Sequence, residues 1–88
     1  MHEMPMCQAV LDAVERRAAD RPVDRIGVRV GADLHVLPEV FEQGFQVLAQ
    51  GGPADGATME VEPVPGDELV LTWVRYRQPA EQTATGGA

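Results

Sequence analysis

Val23-Asp24-Arg25-Ile26-Gly27-Val28-Arg29-Val30 decides the fold. Ile26, Val28 and Val30 take one parity, and Arg25, Gly27 and Arg29 take the other. Period two with β-branched residues on one side is the pattern of a strand with one dry face. That dry face must be covered, so the segments on either side of it determine the architecture.

Upstream, residues 6–20 place Cys7, Val10, Leu11, Val14 and Ala18 on one helical stripe, with Asp12, Glu15, Arg16 and Asp20 turned to water. Pro5 sits in or just before the first turn, where a helix tolerates proline, and Pro22 stops the helix. Downstream, Gly31 to Leu37 reads as a loop. Pro38-Glu39 then opens a second helix, with the acidic side chain at its positive end. Val40, Phe41, Phe45 and Leu48 form its apolar stripe, and Gly44 among them permits close packing. This helix ends at Gln50, before Gly51-Gly52-Pro53, and Ala54-Asp55-Gly56 makes a turn.

Thr58 to Glu62 alternates again, Met59 and Val61 inward against Glu60 and Glu62. The stretch from Pro63 to Asp67 is a tight connection, short enough for an antiparallel hairpin, into a third strand from Glu68 to Arg77. In that strand Leu69 and Leu71 share one parity and Val74 and Tyr76 the other. A bulge near Thr72 would turn all four inward and expose Trp73; a regular strand would bury one set only. The expectation is an α+β fold in the order α-β-α-β-β, with two helices on one face of a three-stranded, mainly antiparallel sheet. Residues 1–77 form the domain, and residues 78–88, polar and small, read as a disordered tail.

The chain has 88 residues and 44% hydrophobic side chains, enough for one small core. Fourteen acidic residues against seven cations, all arginine, give a net charge of −7. Such a surface disfavours nucleic acid and anionic membranes as partners. A spanning segment or secretory leader is not expected either, and a cytoplasmic location is. Cys7 is the single cysteine, so neither a disulfide framework nor a multi-cysteine zinc site can be built within the chain.

Catalytic equipment is sparse. There is no serine, the histidines stand at 2 and 35, and Cys7 lies on a core stripe, where a small buried thiol is the plainer reading. No carboxylate sits in an apolar stretch that would raise its pKa for acid catalysis, and no lysine completes a phosphate loop. The chain is therefore read as a non-enzyme. His35 reads as a solvated loop histidine. Trp73 either caps one end of the core or covers a sheet edge, or it stands as an exposed anchor on the outer sheet face. His2 lies one peptide bond from the α-amine of Met1. Amine, amide and imidazole can chelate a square-planar Ni(II) or Cu(II), and Glu3 adds a second amide and a carboxylate; a frayed terminus is the competing reading.

Met1-His2-Glu3 followed by Cys7-Gln8 and an amphipathic helix resembles the HypA/HybF family of hydrogenase nickel-incorporation proteins. The resemblance continues through Arg25 to Gly31, Val36-Leu37-Pro38-Glu39, Phe45 to Ala49, Ala54 to Ala57, Met59 to Glu62 and Gly66 to Leu71. It implies that His2 supplies an imidazole to Ni(II), Met1 its α-amine, and His2 and Glu3 their backbone amides. It also implies a maturation GTPase and the large subunit of nickel–iron hydrogenase as partners, with urease served in some organisms. Family members insert a zinc module of two Cys-x-x-Cys pairs between the second and third strands. Here Pro63 to Asp67 bridges that point, so no zinc is expected. The alternative function is a docking or regulatory module for the GTPase or hydrogenase subunit that carries no metal. In either case a monomer or weak homodimer is expected, the latter paired through the third strand.

Overall fold

The computed structural model describes residues 3–78. Its elements are α1 (Glu3–Ala18), β1 (Val23–Gly31), one 3-10 turn (Ala32–Leu34), α2 (Pro38–Ala49), β2 (Thr58–Val64) and β3 (Leu69–Tyr76). The α+β class and the α-β-α-β-β order are as expected. The C-terminal residues 79–88, most of the expected tail, lie outside the described residues.

Helix α1 begins three residues earlier than its apolar stripe suggests. Periodicity starts only where burial starts, whereas Glu3 and Pro5 fit a first turn for reasons of charge and a missing N–H. The helix ends at Ala18 because Ala19 (φ 49°) and Asp20 (φ 72°) turn left-handed. Cys7, Val10, Leu11, Val14 and Ala18 are buried, as the stripe required.

The sheet order is β2-β1-β3, with β1 parallel to β2 and antiparallel to β3. The expected β2–β3 hairpin is therefore not formed: β1 lies between the two strands. A short connection can still join them because it crosses the end of β1, where the Gly31 N–H donates to the Glu68 carbonyl (2.7 Å) and the Asp33 N–H to that of Gly66 (2.8 Å). A Cβ at Gly31 would collide with the backbone of Gly66, so glycine is required at this crossing. Strand β2 also runs through Pro63 to Val64, beyond its expected end at Glu62. Proline is tolerated there because β2 is an edge strand.

Strand β3 carries the irregularity read from its parity. Gly27 pairs with Trp73 and Val28 with Leu71, which leaves Thr72 as the extra residue. The Thr72 hydroxyl donates to the Gly27 carbonyl at 3.0 Å. Leu69, Leu71, Val74 and Tyr76 accordingly all pack against the core. A second shift leaves Asp24 as the extra residue on β1.

Both helices lie over the dry face of the sheet, α1 toward β3 and α2 toward β2. They run in the same direction: Met4 and Cys7 face Gly44, and Glu15 reaches Gly52. Phe41 and Phe45 fill the centre, and each contributes about 1.5–3 kcal/mol by leaving water. The expected stripe of α2 is corrected at Val40, which is 41% exposed. Leu48 packs half-buried against the core, and Ala49 beside it is buried. The stripe turns because Ala54 and Ala57 of the following turn, both fully buried, fill the space beneath the end of α2. The Gln46 side-chain amide ties that turn down by donating to the Ala57 carbonyl.

Candidate functional site

The tripeptide singled out as a metal site enters the fold at the start of α1. Glu3 is the first residue of that helix; Met1 and His2 lie outside the described residues. Glu3 lines a groove of about 310 Å³ together with Met4, Val40, Gln43, Gly44 and Val47. Glu3 thus stands at the positive end of α1, where helix N–H groups favour negative charge, and beside the face of α2 that the sheet does not cover.

Cys7 sits one turn below Glu3 and is fully buried. Its Sγ–H donates to the Phe41 carbonyl at 3.3 Å. A Cβ at Gly44 would stand 2.9 Å from that sulfur, so the missing side chain is what lets the helices close there. Burial pushes the Cys7 thiol above its ordinary range, and the neighbouring Glu3 carboxylate pushes the same way, against a smaller lowering by its backbone hydrogen bond. A thiol held neutral and turned into the core is a packing group, not a ligand.

His35 is exposed and left-handed (φ 55°), following the 3-10 turn. It stands at a cavity of about 180 Å³ lined mainly by Val30, Val36, Pro38, Phe41, Val61 and Pro63. Trp73 lies on the outer sheet face, 38% exposed, with its indole over Gly27, where any Cβ would overlap the ring. Of the two readings of this residue, the outer face is the observed one, and what it covers is backbone. Around it Arg25 pairs with Glu60, Arg29 with Glu62 (3.7 Å) and Glu68 (3.9 Å), and Arg75 with Asp24 (3.3 Å). Pairs this exposed contribute at most about 1 kcal/mol each.

Among the described residues no group of three or more His, Cys, Asp and Glu side chains is placed to hold a metal ion. No helix among them is long and apolar enough to cross a membrane. The feature that periodicity missed is the exposed trio Met4, Val40 and Val47. Its signal was present in the spacing of Val40, Gly44 and Val47, a second stripe of α2 offset from Phe41 and Phe45.

Residues 1–69 match the family model described as hydrogenase/urease nickel incorporation, metallochaperone, hypA. The hydrogenase maturation factor HypA of Rhodopseudomonas palustris is 38% identical over 69 residues, which cover 75% of this chain and 61% of that protein. The factor of the same name from Acidithiobacillus ferrooxidans is 32% identical over 74 residues, 81% of this chain and 66% of its own length. That of Geobacter sulfurreducens is 33% identical over 66 residues, 75% and 60% respectively. The chain thus spans about three fifths of the R. palustris relative, 61%.

Proposed function

This chain belongs to the HypA family, and from that membership we propose that it carries Ni(II) on Met1-His2-Glu3 for the maturation of nickel–iron hydrogenase. It acts as a carrier and not as a catalyst, in the cytoplasm, with a maturation GTPase as its co-worker and the hydrogenase large subunit as recipient; urease maturation is a second destination. The Met1 α-amine, the His2 imidazole and the amide nitrogens of His2 and Glu3 supply the in-plane donors that square-planar Ni(II) prefers. Zinc has no part in this reading, because the single cysteine is a core residue.

The observation that carries the proposal is the start of α1 at Glu3. Amide nitrogens bind nickel as anions, and the positive end of a helix stabilises adjacent negative charge by about 0.3–1 kcal/mol. Because the imidazole must be neutral and the amides deprotonated, affinity rises with pH.

Calorimetric titration of the untagged chain with Ni(II), beside His2→Ala, tests this. At about pH 7.5 the wild type binds one equivalent and the variant none, and binding weakens as pH falls. Equal affinity in the two proteins refutes nickel binding through His2. Absence of binding in both favours the metal-free docking module, a reading supported by the exposed apolar groove beside the tripeptide.

A further inference from the structure

We propose that the groove between the start of α1 and the exposed side of α2 docks a cationic amphipathic helix of a partner protein. Met4, Val40 and Val47 are 41%, 41% and 59% exposed. Isolated apolar side chains on a surface need no explanation, but these three surround one groove whose floor is Gly44. Val40, Gly44 and Val47 fall at i, i+4 and i+7, so they form one straight stripe along α2. Met4 of α1 makes the opposite wall, and the two helices run in the same direction. A trough between two helices, apolar along its length and open at its base, has the form that accepts the apolar face of a third helix.

Charge selects the occupant. Glu3 and Gln43 line the groove itself, and Glu39 and Glu42 line a neighbouring hollow on the flank of α2 that shares Gln43 and Val47 with it. The arginines lie elsewhere: Arg16, Arg17 and Arg21 at and after the last turn of α1, and Arg25, Arg29, Arg75 and Arg77 on the sheet or just beyond it. No arginine lines the groove. A second copy docked about a two-fold axis would bring Glu3 and the −7 charge of each chain against their own equivalents, which like-charge repulsion opposes. The chain's own residues 78–88 contain Glu81, no cation, and no apolar side chain beyond alanine and proline. A partner helix with leucine-like residues at helical spacing and Lys or Arg on its flanks satisfies both the stripe and its rim. The surface does not depend on nickel, although Glu3, the last residue of the proposed metal tripeptide, lines it.

The test uses the full chain, isotope-labelled and free of metal. The probe is a synthetic helix of about 18 residues with Leu at i, i+3/i+4 and i+7 and Lys on its flanks; the control carries Glu for Lys. The lysine peptide binds about tenfold or more tighter than the control, with amide shifts centred on Met4, Val40, Gly44 and Val47. Val40→Gln with Val47→Gln weakens it by about tenfold, and Glu39→Gln with Glu42→Gln flattens its salt dependence. All four positions lie on the helix surface, so far-UV circular dichroism stays unchanged. Equal binding of the two peptides, shifts centred on Trp73, or unaltered affinity in the valine variant overturns the proposal. So does a dimer in light scattering that the valine variant abolishes, since the occupant would then be a second copy. Because no metal is present, none of these outcomes bears on the nickel titration.

Discussion

Gly44 and Cys7 allow a quantitative test of how α1 and α2 are held together. A Cβ at Gly44 would stand 2.9 Å from the Cys7 Sγ but 4.0 Å from the Cys7 Cβ. The first distance is a clash and the second is ordinary contact. Gly44→Ala gains about 1 kcal/mol of helix propensity, against an overpacking cost of about 1–3 kcal/mol in a core position. The net is a loss of about 1 kcal/mol. The Met4 sulfur, 3.3 Å from the same point, lies at the flexible end of a partly exposed side chain and yields. Cys7→Ala alone removes a fully buried sulfur and its bond to the Phe41 carbonyl, a further loss of about 1 kcal/mol. In the double variant the new methyl occupies the volume the sulfur has left, so stability returns to about the wild-type value. The coupling is then about 2 kcal/mol, whereas independent sites add to within about 0.5 kcal/mol. Urea and thermal denaturation of the four proteins measure it; in a domain of this size 1 kcal/mol shifts Tm by about 4–8 °C. Additive losses would refute the steric account of Gly44.

Gly27→Ala drives its Cβ into the Trp73 indole. It should destabilise by about 1–3 kcal/mol and shift the emission of this sole tryptophan to the red; unchanged fluorescence would contradict the placement of the ring. Ala19→Gly relieves a left-handed alanine (φ 49°) at the end of α1 and should raise stability by about 0.5–1 kcal/mol, read as a higher urea midpoint with m unchanged. Cys7 makes stability fall at high pH. Its thiol is raised in the folded state from an ordinary value of 9.0, so the unfolded chain ionises first, and stability is lost above that pH. The slope is at most about 1.4 kcal/mol per pH unit, and Cys7→Ala should remove this component.

The elements that local patterning specifies were legible in the sequence. The dry parity of β1 follows from alternation and the stripe of α1 from the helical period, while the parity switch in β3 allowed a bulge at Thr72 beside a regular strand, and the register decides for the bulge. The order of strands did not follow. Five residues between two strands suit a hairpin, and nothing local shows that β1 separates them; that information lies in Gly31, whose missing side chain lets the connection cross. The inward face of α2 was misread at Val40 because Val40 and Phe41 are adjacent, and a stripe can be drawn through either. Tertiary context settled it, with Phe41 occupying the core. Ala54 and Ala57 escaped notice for the opposite reason: small residues in a turn carry no periodic signal. At the candidate site, Met1 and His2 lie outside the described residues, and the groove that Glu3 lines was not legible, since it requires two helices to be parallel neighbours.

That parallel arrangement is itself a consequence of β1 being central. A crossover between parallel β1 and β2 obliges α2 to run back along the sheet, and the tight turn from α1 into β1 obliges α1 to do the same. Both helix N-termini therefore lie at the end of the sheet where β1 finishes. Two positive helix ends are brought together there, and the acids Glu3 and Glu39 occupy their first turns. Arg16 and Arg17, at the far end of α1, complement its negative terminus by the same rule. The separation of charge between the two ends thus follows from helix electrostatics applied twice in the same direction. It leaves two acidic first turns beside an open apolar groove, with Arg29 at the same end held by Glu62 and Glu68 on the outer sheet face. An end of this kind suits the two proposed cations, a metal ion at the tripeptide and a basic helix at the groove. The two can be separated experimentally, because His2→Ala removes a ligand without touching the groove, and Val47→Gln alters the groove without touching a ligand.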